Sequence, residues 1–178
     1  MTRSRVLTLT SVVLAAAATR VLPHPPNLTS IAAVAMFAGA HFDDRRLAFA
    51  IPICAMLVSD VILGFHSGVP AVYVSICVIV GLGLLLRSRR QPALIAATAV
   101  AGALLFFAIT NFSVWALGGL YPRTTAGLAA CYIAALPFLR NTLIGDLAYS
   151  LLLFGGFVLL ERRFQALRPS WSPRTCPA

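Results

Sequence analysis

The sequence predicts an all-α integral membrane protein: a six-helix transmembrane bundle with an extra outer-surface or re-entrant helix before the last span. Three observations lead there. Of 178 residues, 60% are hydrophobic and only 11% charged, with a mean hydropathy of +0.90. An ordinary soluble domain is about half apolar and about a quarter charged, and a globule this short leaves roughly a third of its surface exposed, with nowhere to hide the excess. The apolar residues are also gathered into runs of about the length that crosses a bilayer, ~20 residues. Finally, all fourteen basic residues are arginines, clustered between those runs. The length suits a single transmembrane domain, 1–178, without an internal repeat.

The first run, 6–22, follows Arg3 and Arg5 and reads as a span. It also has the build of a signal peptide, with Ala15 to Ala18 offering small-residue cleavage sites; the remaining topology is the same under either reading. The second run, 28–42, is ~22 Å long at about 1.5 Å per residue, so it stands steeply or is buried among its neighbours. Pro25 and Pro26 precede it, and Asn27 or Thr29 can cap its first turn. Spans follow at 47–64, 70–86 and 92–110. The run 124–139 then meets 142–160 with only Arg140 and Asn141 between them. Two full spans cannot reverse in so little chain unless Pro137 ends the first one early. The expectation is therefore a surface or re-entrant helix at 124–139, a last span at 142–160 and a polar tail at 161–178.

A net charge of +9 invites a nucleic-acid reading, but a nucleic-acid binder gathers its basic residues on one polar face. Here they flank hydrophobic runs, as in the cytoplasmic loops of membrane proteins. With the N-terminus inside and six spans, eleven arginines fall on the inner side, and Arg20, Arg123 and Arg140 remain near the outside. The positive-inside rule predicts this asymmetry. It implies a bacterial inner-membrane protein with both termini cytoplasmic. A seventh span would put the arginines at 162–174 outside.

No catalytic or nucleotide-binding signature is present: no HExxH, GxSxG, P-loop or GxGxxG. The chain reads as a non-enzyme without a cofactor. His24, His41 and His66 are isolated, at loops or helix ends, and read as interfacial polar residues rather than metal ligands. Cys54, Cys77, Cys131 and Cys176 show no metal spacing and read as small packing residues. Active transport would have to draw on an ion gradient or on another subunit.

Polar residues collect on the outer side of this topology. Asp60, Asn111, Trp115, Asn141 and Asp146 are expected to face one outward cavity. His24, Asn27, His66, Tyr121 and Arg123 would come from its covering loops. Apolar walls with a few orienting polar groups make a small-molecule pocket; the same residues equally describe an aromatic belt with solvated loops. Asp60 and Asp146 each lie about one turn from the outer interface. A carboxylate within a span costs a few kcal/mol, so it faces a partner or a watery cavity. An ion pair, for example with Arg123 or Arg140, is the structural alternative. Small residues recur at Ser11/Ala15/Thr19 and at Ala35/Gly39, a spacing that lets helices approach closely in lipid. Internal packing explains it by default, and docking of a partner subunit otherwise.

The stretches Pro23-His24-Pro25-Pro26-Asn27, Phe37-Ala38-Gly39-Ala40 and Leu57-Val58-Ser59-Asp60 resemble a family of uncharacterised bacterial membrane proteins classed as candidate transporters. So do Thr110-Asn111-Phe112-Ser113-Val114-Trp115, Tyr121-Pro122, Gly127-Leu128 and Cys131-Tyr132. That family is in turn similar to the S components of energy-coupling-factor (ECF) transporters. The resemblance covers roughly residues 20–155. It implies a six-helix protein that binds a small-molecule solute near the outer face, and a transmembrane coupling subunit with two ATPases. S components often carry Ala-x-x-x-Ala on the first helix, where this chain has Ser11/Ala15/Thr19. The expected function is a solute-binding membrane subunit of a bacterial importer, in contact with the lipid bilayer and not with nucleic acid. The alternatives are a structural scaffold of the cell envelope and a stand-alone ion-coupled carrier using Asp60 or Asp146.

Overall fold

The computed structural model describes residues 2–23, 25–65 and 67–167. The described residues are 82% helical, with no strand among them. Its helices are α1 (Arg3–Ala18), α2 (Ile31–His41), α3 (Arg45–Leu63), α4 (Val69–Leu85), α5 (Pro92–Leu117), α6 (Thr125–Ser150) and α7 (Gly156–Arg163). Four helical stretches are long and apolar enough to cross a membrane: Arg3–Val21, Arg45–Leu63, Pro92–Leu117 and Thr125–Arg163. The helices Ile31–His41 and Val69–Leu85 are apolar but shorter.

Short polar signals mark where the helices begin. The Thr2, Asp44 and Thr124 side chains accept from Arg5, Arg46 and Gly127 backbone N–H groups and cap α1, α3 and α6. Pro70 and Pro92 stand in the first turns of α4 and α5, where a missing N–H costs nothing. At α2 the cap position falls on Ser30, not on Asn27 or Thr29, and no side chain caps it. Asn27 instead adopts a left-handed conformation, with φ of 62°.

Helix α2 is the axis of the bundle. Every residue from Ile31 to His41 is buried, which is why its apolar character runs all round rather than along one face. Its short length thus reflects enclosure by neighbouring helices. Gly39 of α2 and Gly83 of α4 meet backbone to backbone: a methyl on Gly39 would strike the Val80 carbonyl oxygen, and one on Gly83 the Met36 carbonyl oxygen. The Ala35/Gly39 spacing therefore serves internal packing, as expected. On α1 the packing stripe is Arg5, Leu9, Val13 and Ala17. Ser11 and Ala15 face outward, so that part of the small-residue pattern does not pack the bundle.

The largest departure from expectation lies in the last third of the chain. No break separates 124–139 from 142–160. α6 runs through Pro137, Arg140 and Asn141, then through a π-helical turn (Leu151–Gly155) into α7, making one helical stretch of 39 residues, Thr125–Arg163. Proline is tolerated within apolar helices because neighbouring groups re-satisfy the freed backbone. Asn141 donates to the Pro26 carbonyl at 3.0 Å and Thr142 to the Phe138 carbonyl at 2.9 Å, so the polar residues are helix residues and not a turn.

The start of α1 meets the segment that follows α7. Arg5 pairs with Glu161 at 2.7 Å and also donates to the Leu167 carbonyl, and Thr2 donates to the Ala166 carbonyl at 3.1 Å. At this terminal end Arg87 donates to the Gly39 and Phe42 carbonyls, and Arg90 to the Ala40 carbonyl at 2.8 Å. These guanidinium groups complete the last turn of α2, whose final carbonyls have no helical partner.

Candidate functional site

Of the ten residues singled out in the sequence, the eight described ones do not gather around one cavity. His24 and His66 lie outside the described residues. The others divide into three groups, away from the end where α1 begins and α7 stops.

The first group surrounds Asp60, on α3. Its carboxylate is fully buried, accepting from Arg20 at 2.6 Å and from the Tyr73 hydroxyl at 3.0 Å. Arg20 also reaches the Ser59 hydroxyl at 2.6 Å. Asp60 is thus an ion-pair residue that ties the end of α1 to α3 and α4, and its partner is neither Arg123 nor Arg140. Both oxygens are spent, which removes Asp60 from the expected cavity.

The second group is the α5–α6 hairpin. Trp115 Nε1 donates to the Pro122 carbonyl at 3.0 Å, the Cys131 thiol to the Asn111 carbonyl at 3.5 Å, and the Tyr132 hydroxyl to the Ala108 carbonyl at 2.7 Å. Phe107 and Tyr132 meet edge to face, with centroids 5.4 Å apart. The Asn111 side chain donates to the Phe107 carbonyl at 2.8 Å. Tyr121 and Arg123 occupy the connection between the helices, where Arg123 is exposed. Cys131 and Tyr132 therefore fasten α6 to α5, Trp115 ties α5 to the connection between them, and the Asn111 side chain is spent within its own helix.

The third group gathers around Asp146, on α6. Asp146 is 3% exposed, and its Oδ2 is sealed from the surface without a hydrogen-bond partner among the described residues. It closes the bottom of a cavity of about 30 Å³ lined also by Asn27, Thr29, Thr142 and Phe106. A Cβ added at Gly145 would meet the Thr29 and Leu28 backbone at 3.4–3.5 Å, an ordinary contact distance, so the loop before α2 lies against this face of α6. Asn141, one turn above, anchors the same loop through Pro26. Below Asp146 the helices close to a seam too tight for water, lined by Thr98, Ala99 and Gly102. Ser150 follows, 2% exposed, its hydroxyl also without a described partner. Among the described residues no three His, Cys, Asp or Glu side chains gather to hold a metal ion.

Sequence reasoning found Asp146, Asn27 and Asn141 here and missed Thr29, Thr142 and Ser150. The signal was present: Thr142, Asp146 and Ser150 recur every fourth residue, one polar row on one helical face. Splitting the helix near Arg140 hid the row. Arg20 and Tyr73 were missed because neither is adjacent in sequence to the acid it serves. His41, expected at an interface, is instead buried between Phe37, Phe154 and Phe157, its Nδ1 donating to the Phe37 carbonyl at 3.1 Å.

An all-helical chain of this apolarity, with one satisfied and one unsatisfied buried acid, fits a membrane-embedded protein. The chain belongs to a family of unknown function, DUF6580, whose family model matches residues 1–167. No curated protein matches it. No solved structure matches it either.

Proposed function

We propose that this chain is a multi-pass inner-membrane transport protein that takes a small cationic or proton-donating solute at Asp146 from the outer face. Helices α1 to α5 and the composite α6–α7 helix make six crossings, with both termini cytoplasmic. The observation that carries the reading is the orphaned Asp146 oxygen at the floor of the small cavity. An intramembrane carboxylate without a partner is costly to retain, and such groups mark ion and substrate pathways. A cavity of about 30 Å³ suits a water-sized occupant, which favours an ion-coupled carrier over a pocket for a vitamin-sized ligand. The closed seam below Asp146 corresponds to an outward-facing state. The outward-facing Ser11/Ala15 face of α1 leaves a close-packing surface for a membrane partner subunit, while the ion gradient supplies the energy.

Purified protein titrated with a panel of monovalent cations and small amines, followed by thermal shift, tests the proposal. At least one probe should stabilise the wild type, and Asp146→Asn should abolish that shift. Equal stabilisation of the variant would overturn Asp146 as the site.

A further inference from the structure

A lateral groove of about 510 Å³ separates the first turns of α5 from the second half of α6, the π-helical turn and α7. Its walls are apolar: Ile95 and Ala96 on one side, Leu147, Leu151 and Val158 on the other. Leu151 is 78% exposed and the π-helical turn presents Gly155, where an added Cβ would meet open space. Its terminal-end rim carries Arg90 and Arg162, and no acidic residue lines it among the described residues.

We propose that this groove holds one anionic phospholipid of the inner leaflet, its acyl chain along α6–α7 and its phosphate between Arg90 and Arg162. Length supports that occupant. From Leu147 to Arg162 the helix rises ~22 Å at about 1.5 Å per residue, which matches one leaflet with its headgroup layer, about half of a 40–45 Å bilayer. Charge supports it as well. Arg90 uses one nitrogen on the Ala40 carbonyl and leaves its buried Nε without a described partner. Burial lowers the Arg90 guanidinium from its ordinary pKa, a cost that a phosphate would offset. The nearest acid on α7, Glu161, is engaged by Arg5. The N-terminus of α5 opens onto the same rim through Pro92, with no side-chain cap on Gln91 and no acid in its first turn, so its dipole adds to the attraction. Basic pockets between helices on the cytoplasmic side are the form that anionic headgroup sites take.

Native mass spectrometry of the full-length protein, with phosphatidylglycerol or phosphatidylcholine added to the detergent, reads this directly. The wild type should retain one phosphatidylglycerol in preference to phosphatidylcholine. Each arginine should contribute about fivefold, from about 1 kcal/mol per basic residue at the surface. Arg162→Gln alters an exposed side chain and leaves the fold intact; it should lower the preference about fivefold, and adding Arg90→Gln should abolish it. Gly155→Phe should displace the chain and reduce retention of both lipids, while Arg46→Gln, an exposed arginine on α3, should change nothing. Equal retention of the two lipids, or an unchanged preference in Arg162→Gln, would overturn the site. So would a concentration-dependent dimer that Gly155→Phe breaks and phosphatidylglycerol does not, since a second copy would then fill the groove. Inorganic phosphate at millimolar concentration should not compete; displacement of the lipid by phosphate alone would show an ion site without the chain.

Discussion

Two aspartates in similar sequence surroundings have opposite physical roles. Asp60 is fully buried and has a half-buried cation and a half-buried hydroxyl on its two oxygens, so removing either partner strands the carboxylate. Arg20→Ala should destabilise the protein by about 3–5 kcal/mol, the cost of leaving a buried charge unpaired, and Tyr73→Phe by about 1–2 kcal/mol for one lost charge-assisted bond. The double change Arg20→Met with Asp60→Leu should recover much of the loss, because an apolar pair of similar size carries no desolvation cost. Asp146 Oδ2 has no such partner among the described residues. Asp146→Leu should therefore raise stability by about 1–3 kcal/mol, the penalty of an unsatisfied buried polar group, while abolishing any cation-induced shift. Thermal unfolding in detergent measures all four variants. Destabilisation by Asp146→Leu equal to that by Arg20→Ala would mean that Asp146 is a structural residue. The sequence exposed both acids as costly and gave no means of pairing them, since Arg20 lies forty residues from Asp60.

Helices were legible where apolarity and caps agreed, and misread where a polar residue interrupted an apolar run. Proline and the Arg140-Asn141 pair look like a boundary in one dimension, yet in three dimensions the Asn141 amide finds the Pro26 carbonyl and the helix continues. The same limit hid the hairpin: Cys131 and Tyr132 bind α6 to α5, and Trp115 binds α5 to Pro122 in the turn between them. By contrast, the Ala35/Gly39 spacing was readable, because only a small residue permits close approach of two backbones in lipid. At α2 and α4 this yields a sharp expectation. Gly39→Ala and Gly83→Ala each put a methyl into an opposing carbonyl, so the helices must separate and the protein should unfold or fail to accumulate. Gly81→Ala, with nothing within 4 Å of its added carbon, should instead be neutral or stabilising by up to ~1 kcal/mol, from helix propensity alone. Expression yield and monodispersity of the three variants separate these outcomes; tolerance of Gly39→Ala would mean that the α2–α4 crossing is looser than drawn.

For the molecule as a whole, the arrangement of arginines predicts its orientation. The start of α1, the end of α7 and the connections 42–44 and 86–91 lie at one end, bound by Arg5, Arg87 and Arg90 to the Glu161 carboxylate and to backbone carbonyls. The other end retains Arg20, Arg123 and Arg140, and Arg20 is neutralised there by Asp60. The asymmetry read from the sequence, eleven arginines against three, is kept among the described residues as nine against three, and at the sparser end Arg20 is paired with Asp60. Arginine-rich ends stay cytoplasmic, so residues 43–46 and 87–91 should be inside, and 64–69 and 118–124 outside. Ser88 and Ser67 are exposed at opposite ends and serve as reporters once the native cysteines are replaced. In intact cells a membrane-impermeant thiol reagent should label Ser67→Cys and spare Ser88→Cys until the membrane is permeabilised. Labelling of Ser88→Cys in intact cells would invert the molecule, turning the Asp146 cavity toward the cytoplasm and the arginine-rimmed groove toward the outer leaflet.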